Sequence, residues 1–314
     1  MGKEYLGIDI GGTAVKLGLV SEAGEVTAMT EASVSFDGYK TPILDTVINE
    51  AERFLEQENK APGQLSAIGV SATGQIDSTE GIVAGTCGSL PGWAGTPIRR
   101  RLEEHFSLPG AVANDANCMC LGECWKGAAQ GCTDVIGITV GTGIGGGILT
   151  GGRLLEGARG LGGEMGHLPL HALDGARCTC GNAGCWERYA STSALVRRAQ
   201  KNGLPFQNGR EIFSAAEKGD ADALCLLDGW TDEIAAGLIG MVHIFNPQKI
   251  LIGGGVSAQK KLLIEPLAEK VKSGVMPAFA LGLEVCAAQL ENAAGIVGAV
   301  RYAMGQSSAA SARR

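Results

Sequence analysis

The chain has 314 residues, 45% of them hydrophobic, which is enough to bury one large or two medium cores; two are expected. A formal net charge of -7, with no clustered Lys/Arg face, excludes a dedicated nucleic-acid surface, which needs basic patches to displace counterions from phosphates. The start MGKEYLGIDI runs straight into strand-like sequence and nothing downstream approaches about eighteen consecutive apolar residues, so a soluble cytoplasmic protein without membrane contact is expected.

The first element, LGIDIGGT (Leu6 to Thr13), is an apolar strand ending in a glycine turn. AVKLGLV follows as a second strand and, past EAGE, a third strand-like run. Asp9 puts a carboxylate beside the backbone amides of Gly11, Gly12 and Thr13 and the Thr13 hydroxyl. Mg²⁺ takes one or two carboxylates plus waters and phosphate oxygens, so this turn suits a metal-bound phosphate; an ordinary hairpin explains the same residues. Between Tyr39 and Lys60, apolar residues at Ile43, Leu44, Val47, Ile48, Ala51, Phe54 and Leu55 follow a helical period and predict a helix covering the first sheet. Strands at Leu65 to Ser71 and Ala111 to Ala113 bracket a short helix at Thr96 to Phe106.

In VANDAN, the strand delivers Asn114 and Asp115 to a helix start, where the helix dipole stabilises a carboxylate anion. Helix capping accounts for Asp115; so does a base for a hydroxyl nucleophile attacking a phosphoryl group, once Asn114, Glu164 and Glu187 are counted as its polyol-binding partners. Cys118, Cys120 and Cys124 fall on this helix, where core packing is their expected role.

IGITVGTG (Ile136 to Gly143) repeats LGIDIGGT 130 residues later, and again a second strand and a turn (TGGR) follow. The chain therefore carries two copies of a strand-turn-strand-turn-strand unit, each followed by helices. In GTGIGGG (Gly141 to Gly147), Thr142 and Gly143 are positioned to donate to terminal phosphates. The GxGxxG string at Gly141, Gly143 and Gly146 invites a dinucleotide reading, but that fingerprint must open a helix, and ILTGGRLLEG continues as strand and turn.

The segment from Gly163 to Glu187 brings His167, three cysteines and two glutamates into a short stretch. His167, Cys178, Cys180 and Cys185 supply one imidazole and three thiolates, the set that closes a tetrahedral structural zinc site. Gly181 and Gly184 allow the tight turns that aim the sulfurs inward. Buried thiols or a disulfide would also use these cysteines, but the spacing and intracellular composition point to metal. Four protein ligands leave no open position, so the zinc would organise the loop and hold Glu164 and Glu187 in place.

Helices are expected at Ser191 to Lys201, Gly209 to Lys218, Ala221 to Phe245, Ala258 to Lys272 and Asn292 to Met304, with strands at Lys249 to Ile252 and Leu283 to Ala287. LIGGGVS joins a strand to a helix, so Gly254 and Gly255 would touch a nucleoside or its phosphates, or form a plain turn. The small, polar tail, residues 306–314, is expected to be flexible. Two like halves with glycine turns facing one another make a cleft suited to a nucleotide, an arrangement that resembles the actin-like ATPase fold. The expected division is an N-terminal domain over residues 1–110, joined by the C-terminal helix 292–305, and a C-terminal domain over residues 111–291.

DIGGT, NDAN, GTGIGGG, GEMGH and CTCGNAGCWE occur in this order, and on them the sequence resembles the ROK family (repressor, open reading frame, kinase) along nearly its whole length. The resemblance implies an α/β, two-domain actin-like ATPase (ribonuclease H-like) fold with a duplicated βββαβαβ core and a structural zinc loop. It further implies ATP phosphates on the two glycine loops, Asp115 as catalytic base, zinc on His167 and the three cysteines, and sugar on Asn114, Asp115, Glu164, His167 and Glu187. The activity implied is ATP-dependent transfer to the 6-hydroxyl of a hexose, glucose first, with N-acetylmannosamine or N-acetylglucosamine as alternatives, in a homodimer. A sugar-responsive repressor is the rival from another class; such members carry a helix-turn-helix ahead of the first glycine loop, whereas eight residues precede Asp9 here. Two segments depart from the family pattern. Thr73-Gly74 stands where many members have Pro-Gly, and Ser89 where many have Asn, which leaves the sugar's identity open and Gly74 as a contact.

Overall fold

A computed structural model describes residues 2–86 and 90–312, the side chains of residues 307–312 excepted. The chain forms two compact units: Met1–Gln130, Leu154–Gly162 and Asn292–Arg314 make the first, Gly131–Arg153 and Gly163–Glu291 the second.

The first unit opens with β1 (Glu4–Ile10), β2 (Ala14–Ser21) and β3 (Val26–Ser33), a meander of antiparallel pairs. Helix α1 (Ile43–Gln57) follows and buries all seven apolar residues of the expected stripe. The chain continues through β4 (Ile68–Ala72), the hairpin β5 (Gln75–Asp77) and β6 (Ile82–Gly85), α2 (Ile98–Phe106), β7 (Gly110–Asn114) and α3 (Asp115–Lys126). The sheet order is β3-β2-β1-β4-β7, with β1, β4 and β7 parallel.

The second unit repeats the plan. It contains β8 (Val135–Val140), β9 (Ile144–Thr150), the short β10 (Arg153–Leu154) at its border, α4 (Glu187–Ala190), α5 (Thr192–Lys201), α6 (Gly209–Glu217) and α7 (Ala221–Phe245). Then come β11 (Lys249–Gly253), α8 (Glu265–Gly274), α9 (Pro277–Ala280) and β12 (Glu284–Ala287). Its sheet order, β10-β9-β8-β11-β12, matches the first sheet position by position, with β8, β11 and β12 parallel. The final helix, α10 (Ala294–Ala312), returns to the first unit.

Each unit has its own core. In the first, Leu6, Ile8, Val47, Phe54, Val70 and Trp93 fill the space between sheet and helices; in the second, Ile136, Trp186, Trp230, Leu238, Ile250 and Leu267 do so. Fully burying side chains of this size contributes about 1.5–3 kcal/mol each, and the central strands β4 and β11 are buried nearly throughout.

Three expectations shift. The units divide after Gln130 and not at residue 110, because β7 pairs with β4 over Ile68↔Gly110 to Ala72↔Asn114 and completes the first sheet. The segment Leu154–Gly162 also belongs to the first unit, where Glu156 Oε1 accepts from Tyr302 Oη at 2.5 Å and from Ser78 Oγ at 3.0 Å. The tail expected to be flexible continues α10 to Ala312, since QSSAASA contains neither proline nor glycine to stop the helix, while residues 313–314 lie outside the described residues. Among the described residues, no helix is long and apolar enough to cross a membrane.

Candidate active site

In the first unit the parallel strands end together. Asp9 pairs in register with Ser71, and Ser71 with Ala113, so Asp9 and the Asn114-Asp115 pair sit at the carboxyl ends of β1 and β7, on either side of β4, where open α/β sheets bind ligands. Ser71 Oγ donates to Asp9 Oδ1 at 2.6 Å, and Lys16 Nζ lies 3.7 Å from Asp9 Oδ2, directly across the β1–β2 pair. Gly11 donates to the Ala14 carbonyl, closing the turn that presents Gly12 and Thr13.

Asn114, not Asp115, is the cap of α3: its Oδ1 accepts from the amides of Ala116 (2.9 Å) and Asn117 (3.3 Å). Its Nδ2 donates to the Gly74 carbonyl at 3.0 Å, which ties the cap to the turn ahead of β5. Asp115 is thereby released from the capping role and occupies the first helical position, where Oδ1 accepts from the Ala116 amide at 2.8 Å. Cys118 lies one turn below. Burial pushes its thiol well above the ordinary value, and the Asp9 and Asp115 carboxylates push it further, so both anions act on one point beneath the strand ends. Cys118 and Cys120 are fully buried and serve as small core residues, while Cys124 is partly exposed.

In the second unit the metal loop is pinned by Trp186, whose ring is fully buried, whose Nε1 donates to the Glu233 carbonyl (2.7 Å) and whose amide donates to Leu168 (2.7 Å). Gly181 and Gly184 have φ of 94° and 75°, in the left-handed region the tight turns require. One ligand atom from each of His167, Cys178, Cys180 and Cys185 falls within 4.8 Å of the others. Cys180 Sγ is 3.5 Å from Cys185 Sγ, and Cys178 Sγ is 3.7 Å from His167 Nδ1. A tetrahedral centre with metal–sulfur bonds of about 2.3 Å separates its ligands by roughly 3.8 Å, so the donor set fits zinc.

The protonation balance agrees. Burial, then the Cys180 and Cys178 thiols, push Cys185 up to about 12, and burial raises Cys178 also. Cys180 is held low, against its burial, by hydrogen bonds from the Asn182 amide and Cys185. Three thiols this close do not all ionise without a cation to share.

His167 Nδ1 faces the sulfurs, leaving Nε2 toward Glu164, 3.8 Å from its Oε2. Glu187 Oε1 lies 3.9 Å from His167 Nδ1 and accepts from Cys178 Sγ at 3.1 Å. Burial pushes the Glu164 carboxyl up, His167 draws it down, and Glu187 pushes it up again. Glu164, His167 and Glu187 thus form one polar face, two carboxylates flanking an imidazole.

A cavity of about 900 Å³ opens in the same unit, lined among others by Thr142, Thr192, Arg197, Phe213, Gly255 and Gln259. Thr142 and Gly255 of the expected phosphate and nucleoside contacts line it. Gly254, with φ of 87°, instead packs against the Val140 carbonyl, and Gly143 packs against Glu187. The dinucleotide reading fails on this geometry, because Gly141 to Gly147 joins two antiparallel strands and opens no helix. Sequence reasoning missed Lys16, Ser71, Thr192 and Arg197. Lys16 was available to it, since strand alternation after DIGGT sets Lys16 opposite Asp9; the others come from separate elements. Ser89 lies outside the described residues.

The fold is the α/β fold of solved ROK sugar kinases, of the actin-like ATPase class. A profile of the ROK family matches residues 5–306, and the chain belongs to that family. It is 34% identical over 310 residues to a glucokinase of Halalkalibacterium halodurans, covering 94% of this chain and 93% of that one. Against a glucokinase of Thermotoga maritima it is 36% identical over 310 residues, covering 94% and 96%. The crystal structure of a ROK family glucokinase from Streptomyces griseus, in complex with glucose and AMPPNP, is similar with a TM-score of 0.77 at 32% identity, covering 94% of this chain and 97% of that chain.

Proposed function

We propose that the protein is an ATP-dependent hexose kinase that phosphorylates the 6-hydroxyl of glucose. The observation that carries this reading is the pair of carboxylates at the strand ends of the first unit, Asp115 presented by a helix N-terminus and Asp9 by a glycine turn with Ser71 and Lys16 on it. Glucokinase relatives at 34% and 36% identity over 94% of the chain support the acceptor and the donor.

Asp115 accepts the proton of O6, held in position by the Ala116 amide and by an Asn114 that is locked to Gly74. O6 then bonds to the γ-phosphorus, the bond to the bridging β–γ oxygen breaks, and ADP leaves with that electron pair. The turn amides at Gly11, Gly12 and Thr13 and the loop at Thr142 and Gly143 receive donor phosphates, and Lys16 balances charge beside Asp9. Mg²⁺, when bound, neutralises phosphate charge; Asp9, already paired with Lys16 and Ser71, suits a magnesium that keeps its waters. Asn114, Glu164, His167 and Glu187 orient the hydroxyls. The cavity bounded by Phe213 and Gly255 takes the nucleoside. Zinc on His167, Cys178, Cys180 and Cys185 is structural. A cytoplasmic location belongs to the same reading, supported by ATP as the donor and by cysteines read as metal ligands and core thiols. The homodimer implied by the family resemblance completes the reading and is checked by light scattering.

A coupled ADP-release assay across glucose, N-acetylglucosamine, N-acetylmannosamine, mannose, fructose and allose tests the proposal. Glucose should give the highest kcat/KM. No ADP release with any hexose, together with salt-sensitive, sequence-selective DNA binding in a gel shift, would replace the kinase with a regulator.

A further inference from the structure

The glycines of the β8–β9 hairpin do more than leave room for phosphates. A β-carbon at residue 143 would lie 2.6 Å from Glu187 Oε2; at residue 146 it would overlap the Met165 side chain and lie 2.6 Å from the Gly163 carbonyl. From the opposite side, a β-carbon at residue 166 would overlap the Ile144 carbonyl. The flanks of the metal loop therefore rest directly on the hairpin backbone, with no side chain between. Glu187 is the member that touches both systems: Oε2 abuts Gly143, while Oε1 is 3.1 Å from Cys178 Sγ and 3.9 Å from His167 Nδ1. Its side chain is 15% exposed, so it has little room to relax away from either. Gly143 is braced from the other end too, since Gly141 N donates to the Gly143 carbonyl and Thr192 N to the Gly141 carbonyl, at the edge of the cavity.

We infer that Glu187 is a positioning residue for the phosphoryl donor: wedged between the Cys₃His cluster and Gly143, it transmits occupancy of that cluster to the donor loop, so metal sets nucleotide affinity before any sugar is present. The inference rests on the reading that Thr142 and Gly143 receive donor phosphates. Fixing Cys178 and His167 to a metal walls in Glu187 on one side, and the carboxylate then supports the loop from below. Releasing the cluster removes that wall and lets the loop spread. Partners standing just outside a metal's ligands commonly change affinity by 10–100-fold when altered.

The test is isothermal titration of the sugar-free protein with Mg²⁺·AMPPNP, in metal-loaded protein and in protein stripped by a chelator, with metal content measured and folding checked by circular dichroism. Stripping should weaken AMPPNP roughly 10-fold, and Glu187→Ala in loaded protein should do the same. Glu187→Gln, which keeps the wedge's size, should retain parental AMPPNP affinity while losing glucose affinity. Loss of AMPPNP affinity in Glu187→Ala but not in Glu187→Gln is not expected of a residue serving the sugar alone. In Glu187→Ala, stripping should add nothing. Should stripped protein unfold, the Glu187→Ala and Glu187→Gln pair, both with the ligand set intact, still decides the matter. Unchanged AMPPNP affinity in Glu187→Ala overturns the coupling. Failure of loaded parental protein to bind AMPPNP at all overturns instead the donor-loop reading beneath it.

Discussion

The two glycine turns began as copies and now do different work. Aligning Leu6 with Ile136 sets Asp9 against Thr139 and Thr13 against Gly143. The first turn keeps its own carboxylate, with Ser71 and Lys16 holding it. The second has none at that position and borrows Glu187 from the metal loop, which needs a bare glycine at 143 to approach. A duplicated scaffold fixes where ligands meet the strand ends; the residue at one position decides whether the chemistry is local or imported. The metal loop is the means of import, because a cluster of four ligands can stiffen a segment with no regular structure of its own.

The largest effect should come from removing the base of the first unit. Asp115→Asn is expected to lower kcat by about 10²- to 10⁴-fold while glucose affinity, read by calorimetry, stays near parental. Parental turnover in this variant would remove Asp115 from the mechanism. Next, Asp9→Asn should cut kcat roughly 10-fold or more and raise the Mg²⁺ needed for half-maximal rate, whereas Thr139→Val should change neither appreciably. Equal losses in the two would mean that the turns have not diverged.

Smaller still, Cys180→Ser or verified metal removal should weaken glucose binding by about 10-fold with kcat/KM falling in step, since Glu164 and Glu187 lose their fixed spacing. Unaltered glucose affinity after proven metal loss would break the import argument.

The least effect is expected at the far ends of the sheets. Lys249 and Glu284 pair at 2.8 Å across β11 and β12, where the first sheet has the uncharged Ala67 and Pro109. The hydrogen bond from Lys249 holds the Glu284 carboxyl below its ordinary value of 4.5, and the same bond raises Lys249 above 10.5. A depressed carboxylate stabilises the fold above its unfolded value and loses that contribution as pH falls through the folded one; the raised lysine loses its share as pH rises through its own folded value. Glu284→Gln should therefore cost less than about 1 kcal/mol in urea melts at neutral pH and low salt, and nothing in acid well below 4.5, because Glu284 is mostly exposed and screened. A larger loss, or one that survives high salt, would contradict this.

Much of the fold was readable because its signals are local. The α1 stripe from Ile43 to Leu55, the repeat of LGIDIGGT and the single chain segment holding His167 and the three cysteines each depend on residues close in sequence. The extent of the first unit was not readable. Whether Gly110–Asn114 pairs with β4 is a register choice made with a strand 42 positions upstream, and the excursion of Leu154–Gly162 into that unit depends on Tyr302 and Ser78. Roles within a motif were equally hidden: NDAN signals a helix start, but only the tertiary structure separates Asn114 as the cap from Asp115 as the first helical residue.

By itself, then, the sequence determined the duplicated α/β plan and the grouping of His167 with three cysteines, since periodicity, turn chemistry and side-chain type are properties of short stretches of chain. The tertiary structure alone decided that Gly255 lines the cavity while Gly254 packs against the Val140 carbonyl, and that Glu187 stands between the cysteine-histidine cluster and Gly143. Those facts are distances between elements, and a distance through space is set by how cores pack.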